Sequence, residues 1–229
     1  MNSKTPKSIA VIVAHPVDET LWAGGTILNH PQHKWFIVCL SWASDLDCAH
    51  RFYSALKALK AEGVMGNMDD ELDQLPLDDK VIETEILKLL PNNHFDIILT
   101  HNSASDNICH LQHEDVNRIV TALWLNGKIS AKELWTFCFE DANKNYFAPI
   151  GRNANITENL SEAVWAKKYD IITEIYGFDS NSCEAKTTPT IEAFWKFKDL
   201  HHAYRMAHKF DSNIKMSKLS ILKLLSPTK

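Results

Sequence analysis

The chain has no long hydrophobic run, no paired cysteines and no excess of positive charge, and each absence removes a class of protein. No apolar stretch approaches the roughly 20 residues that span a bilayer. The apolar run 9–14 behind Lys4 and Lys7 is also too short for a signal-peptide core, so a cytoplasmic protein is expected. The five cysteines, Cys39, Cys48, Cys109, Cys138 and Cys183, are scattered and never form a C-x-x-C pair. Neither a disulfide framework nor a cysteine zinc knuckle is indicated, and a reducing compartment fits. With a formal net charge of -5, the chain lacks the basic stripe of a nucleic-acid binder. Internal repeats and low-complexity segments are missing too. What remains is an ordinary globular composition, 45% hydrophobic and 23% charged over 229 residues, which suits one full core.

Residues 9–14 (IAVIVA) and 35–40 (WFIVCL) are short, continuously apolar and rich in β-branched or aromatic side chains. Such runs suit strands covered on both faces, and Cys39 reads as a small core residue within one of them. Residues 96–100 and 134–139 read the same way, the latter with Cys138 in its core. Between these runs the apolar period lengthens. A helix is expected over 18–28, with Asp18 and Thr20 offering cap chemistry. Another runs over 51–61, where Phe52, Leu56 and Leu59 share a face and Gly63 is placed to end it. Ile82, Ile86, Leu89 and Leu90 mark a helix over 81–90 that Pro91 stops, and 113–125 follows suit.

Strands alternating with helices specify an α/β fold, a three-layer sandwich with a mostly parallel sheet. A single domain over 1–229 is expected. Past Pro149 the pattern weakens: 161–176 reads as helix, 179–189 as a polar loop and 191–209 as an aromatic-rich helix. Residues 177–229 are thus expected to form a C-terminal helical extension. Its basic end either packs one face on the domain or touches a membrane surface or a partner.

In a parallel sheet, ligands bind beyond the carboxyl ends of the strands, where two polar clusters fall. Ala14-His-Pro-Val-Asp-Glu-Thr20 follows the first strand, and His110-Leu-Gln-His113 follows the third, which ends at His101. A His and an Asp three apart are weak evidence alone, and so are two of 11 histidines. Convergence of His15, Asp18 and His113 changes their weight. Three protein ligands with one position left for water is the pattern of a catalytic zinc site.

Together these motifs resemble the PIG-L/LmbE-like zinc N-deacetylase family. The family's A-H-P-D-D-E motif and following Gly-Gly pair match residues 14–25, and its H-P-D-H motif matches 110–113. The helix headed by Arg51, and the segment leading to His101, match its middle section in order and spacing. The resemblance, over roughly residues 8–176, implies a Rossmann-like fold and removal of an acetyl group from an N-acetylated amino sugar or sugar conjugate.

It implies His15, Asp18 and His113 as ligands of Zn2+, although another divalent ion suits the same donors. His110 is implied as the catalytic residue that stabilises the oxyanion or protonates the leaving amine. Arg51 is implied as a substrate contact, while His101, by its place at the end of a strand near the site, is a candidate contact to substrate or to a ligand. The expected partner is a small N-acylated amino sugar or conjugate, with a homo-oligomer left open. Two positions depart from the motifs. Val17 stands where the family carries its Asp general base, and Gln112 stands where an Asp would orient His110. Loss of a general base typically costs about 10²- to 10⁴-fold in rate. Glu19, Asp106 and Glu114 are the nearby carboxylates that are candidates to replace it. A family member that binds metal and a sugar-like ligand without turnover is the alternative. His30, His33, His50 and His94 read as surface residues.

Overall fold

The computed structural model describes residues 5–68, 78–102, 111–142, 146–149 and 154–198. Its main sheet has seven strands in the order β3-β2-β1-β4-β5-β9-β8. These are β1 (Ser8–Val13), β2 (Lys34–Ser41), β3 (Glu62–Met68), β4 (His94–Thr100), β5 (Ser130–Phe137), β8 (Ile156–Asn159) and β9 (Ile191–Phe197). Strands β1 to β5 are all parallel; β9 runs antiparallel to both β5 and β8. A separate hairpin pairs β6 (Phe139–Ala142) with β7 (Tyr146–Pro149).

The apolar run of β1 explains the layering. Ile9, Val11 and Val13 face one core and Ala10 and Ile12 the other, all fully buried. Helices α1 (Asp18–Asn29), α2 (Leu46–Leu59) and α5 (Glu162–Asp170) lie on the first face. α3 (Asp79–Leu89) and α4 (Leu111–Leu125) cover the second. α5 continues into a π-helical turn, Ile171–Ile175, which packs on α2. This is the expected three-layer α/β sandwich, with Cys39 and Cys138 buried in it.

Three expectations are corrected. Gly63 does not end a helix. α2 stops at Leu59 with Lys60 in the left-handed region (φ 57°), and Gly63 lies in β3, where a Cβ would collide with the Ile37 carbonyl. Over its described part, the helical extension of 177–229 gives way to a short helix α6 (Cys183–Thr187) and to β9. β9 is a strand because its two faces bury separate sets: Phe194 joins Trp135 and Phe137, while Ala193 and Trp195 pack with Cys138. Third, His33 is buried, and its Nδ1 accepts the Lys7 amide at 3.2 Å. Residues 199–229, and with them the basic end, lie outside the described residues.

Two buried side chains clamp β9 beneath the first helix. Lys168 on α5 and Glu192 on β9 are both fully enclosed and 2.7 Å apart. Glu192 also accepts from the Gly25 and Thr26 amides and the Thr26 hydroxyl at 2.6–2.8 Å. Burial lowers the pKa of Lys168, and the Glu192 charge works against that shift.

Candidate metal centre

The chain order of the sheet reverses between β1 and β4, and such switch points open a crevice at the carboxyl ends of the strands. Local hydrogen bonds stitch its walls. The Ala14 amide donates to His101 Nε2 at 2.9 Å, joining the end of β1 to the end of β4. The Ser41 hydroxyl donates to the Ala14 carbonyl at 2.8 Å, tying in β2. His15 follows directly. Asp18 begins α1 and reaches back to accept the His15 amide at 2.9 Å. His113 sits in the first turn of α4, on the other side of the crevice.

These three side chains converge. His15 Nδ1 lies 3.2 Å from His113 Nε2 and 3.5 Å from Asp18 Oδ2, and His113 Nε2 lies 3.3 Å from the same oxygen. Metal bonds of about 2.0–2.2 Å place the donors of a tetrahedral zinc ion about 3.3–3.6 Å apart. The triangle therefore has the edge length of one tetrahedral face, with the fourth vertex left over. Two imidazoles and a carboxylate form the only group of three or more metal-type ligands among the described residues. The donor set fits zinc, and equally other borderline divalent ions.

Burial alone would raise the Asp18 pKa, but His113 foremost, with His15 and His101, overrides it and holds the carboxyl well below its usual range. His101, expected as a contact in the site, is fully buried, and its ring stacks on His113 at 3.9 Å and 9°. It packs flat against the His113 ring and is closed to solvent. Its Nε2 lone pair is already engaged by the Ala14 amide, which removes it as a fourth donor. Gln112 does not reach into solvent either: its Oε1 lies 2.5 Å from His15 Nε2. His110, Asp106 and Cys109 lie outside the described residues.

Val17 occupies an unusual position. It is buried against the α1 core and takes φ 86°, ψ -27° immediately before the helix, with no side-chain cap. A β-branched residue in the left-handed region is a steric outlier worth about 1–3 kcal/mol of strain. Asn and Asp occupy that region far more readily. Residue 17 therefore keeps a backbone shape suited to Asp while presenting a hydrocarbon.

Behind it, Glu19 is fully buried and accepts from the Thr20 hydroxyl at 2.6 Å and from the Tyr176 hydroxyl at 2.7 Å. Its other oxygen, Oε2, has no hydrogen-bond partner among the described residues. Burial pushes its pKa up to about 7, with the two hydroxyls pulling the other way. Tyr176 ends the π-helical turn, and its carbonyl accepts Arg51 Nη1. Arg51 Nε bonds Asp47 at 2.7 Å. Arg51 is thereby joined to the ligand loop through Tyr176 and Glu19. Glu114 is exposed on α4. Sequence reasoning missed the Tyr176–Glu19 link because the two lie 157 residues apart.

No protein-family model matches the chain, and no curated protein sequence does. Solved structures do match. N,N'-diacetylchitobiose deacetylase from Pyrococcus horikoshii is 12% identical with a TM-score of 0.59, covering 84% of each chain. An antimicrobial-reagent pseudoaglycone deacetylase is 14% identical with a TM-score of 0.59, covering 85% of this chain and 98% of that one. The 4-carboxy-2-hydroxymuconate hydratase of Pseudomonas putida is 16% identical with a TM-score of 0.55, covering 82% and 95%. The chain thus shares with these proteins a three-layer α/β fold with a mostly parallel sheet. Two of these proteins are deacetylases and the third a hydratase, so the reaction must be argued from the site.

Proposed function

We propose that this chain is a zinc-dependent hydrolase of the N-deacetylase type, acting on an N-acetylated amino sugar or sugar conjugate. The observation that carries the proposal is the triangle of His15 Nδ1, Asp18 Oδ2 and His113 Nε2. A divalent ion held there would supply Lewis acidity, acidifying water and polarising an acyl carbonyl. Asp18 contributes a fixed negative charge, and His101 holds the His113 ring in place by stacking. Val17 is a buried hydrocarbon and takes no proton. His110 is the proposed oxyanion or leaving-group partner, and Arg51 the proposed substrate contact, both from the family resemblance. The acetyl-sugar substrates are those that the chitobiose deacetylase's name describes for that protein.

A second reading is a protein that binds metal and a sugar-like ligand without turnover. Val17 favours it, because a buried hydrocarbon stands at the place from which a general base would act. Elemental analysis of the purified chain, with amine release measured from N-acetylglucosamine-type substrates, tests the first reading. A stoichiometric divalent ion with turnover supports it. A bound ion without turnover favours the second, and no bound ion sinks both. Val17→Asp separates them further. The left-handed backbone already suits Asp, and a restored base should raise turnover by about 10²- to 10⁴-fold.

A further inference from the structure

An imidazole nitrogen ligates a metal only through a bare lone pair, so a ligating histidine must carry its proton on the other nitrogen. For His15 the nitrogen facing Asp18 and His113 is Nδ1, and Nε2 points away from them toward Gln112 Oε1 at 2.5 Å. An amide oxygen only accepts hydrogen bonds. The proton therefore sits on Nε2, and Nδ1 is left bare toward the triangle. The neighbouring His101 is held the opposite way: the Ala14 amide donates to its Nε2, which places the proton of a neutral ring on Nδ1. Two adjacent imidazoles are thus fixed in opposite tautomers by two amide groups, one offering an acceptor and the other a donor.

We propose that Gln112 is the positioning residue that selects the ligating tautomer of His15 and aims Nδ1 at the ion. The inference rests on the metal-site reading above. Gln112 and His113 are consecutive in the first turn of α4, so one helical turn supplies both a ligand and the partner that prepares another ligand on the far side of the crevice. An Asp at this position, with a shorter side chain, would stop about one methylene nearer the helix. Gln spans the crevice, accepts the proton's hydrogen bond and adds no negative charge to it. The position therefore has a role of its own in this chain, distinct from orienting His110.

The test uses the full chain as wild type, Gln112→Leu and Gln112→Glu. Long-range 1H–15N spectra of the metal-free protein report the His15 tautomer directly, and zinc affinity is read by chelator competition. Wild type should show the Nε2–H form. Gln112→Leu should show both tautomers and bind zinc about 10- to 100-fold more weakly, and Gln112→Glu should restore the Nε2–H form and at least wild-type affinity. An Nδ1–H form in wild type overturns the inference without any variant, so a Gln112→Leu protein that fails to fold does not protect it. Unchanged tautomer and affinity in a folded Gln112→Leu overturn it as well. Absence of zinc binding by wild type overturns the metal reading instead, while the tautomer spectra still decide what Gln112 does.

Discussion

Lys168 and Glu192 are a buried ion pair whose two halves are held unequally, and that asymmetry makes a quantitative prediction. Glu192 keeps three other donors if the lysine is lost, namely two α1 amides and the Thr26 hydroxyl. Lys168 has, besides Glu192, the Pro189 carbonyl at 3.5 Å. Breaking a buried pair by removing one partner costs about 3–5 kcal/mol, because an uncompensated charge stays in the interior. Lys168→Met keeps the side-chain volume and should fall in that range. At about 2–4 °C per kcal/mol for a chain of this size, melting should drop by about 6–20 °C.

Glu192→Gln strands the ammonium, whose pKa burial already lowers, and the lysine should respond by losing its proton. The double variant Lys168→Met/Glu192→Gln has no stranded charge, and it should be more stable than the sum of the single losses by about 2 kcal/mol. Urea and thermal unfolding followed by circular dichroism measure all four proteins. If the single losses add to within about 0.5 kcal/mol, the two charges are not coupled, and Glu192 serves only to hold the α1 amides.

Glu19 predicts a pH dependence in metal-free protein. Below about pH 4.5 its carboxyl is protonated in both states; between 4.5 and about 7 the unfolded chain ionises while the folded one keeps its proton. Stability should therefore fall as pH rises through that window, by on the order of 3 kcal/mol, and Glu19→Gln should flatten the unfolding profile. A Cβ on Gly25 would run into the Leu160 side chain. Gly25→Ala should thus cost about 1–3 kcal/mol in denaturant melts, and adding Leu160→Ala should recover part of it. Zinc at 100 times its dissociation constant should stabilise the chain by about 2.7 kcal/mol, a rise of about 5–11 °C in melting. Chelator should reverse the shift, and His113→Ala should abolish it; a shift that survives in the variant would place the ion elsewhere.

The parallel core was legible because its strands are uninterrupted apolar runs that only a sheet covered on both faces can bury. The ligand triangle was legible because two motifs follow strands that lie side by side. β3 was not, since Glu-Gly-Val-Met-Gly-Asn-Met carries two glycines and no apolar run, and its place comes from pairing with β2. β9 was misread because Ile191, Phe194 and Trp195 fall at the i, i+3, i+4 spacing of a helix face. Partners far away in sequence, on β5 and β8, impose the extended form. The shape at residue 17 was hidden for a different reason: valine is among the last residues that a left-handed turn would be assigned from its type. Lys168 and Glu192, 24 residues apart, carry no local signal that they meet inside the core.

The clamp on α1 also sets an order of assembly. The first helix carries Asp18 and follows His15, so it leaves the ribosome well before β9, yet the carboxylate that secures its Gly25 and Thr26 amides comes from Glu192, 167 and 166 positions later. During synthesis that helix must wait on the growing sheet with its anchor absent, and contacts of such long range form slowly. A chain halted before β9 would hold His15, Asp18 and His113 on a scaffold not yet locked. The His15–Asp18–His113 triangle is thus expected to reach its final geometry late in the folding of this protein.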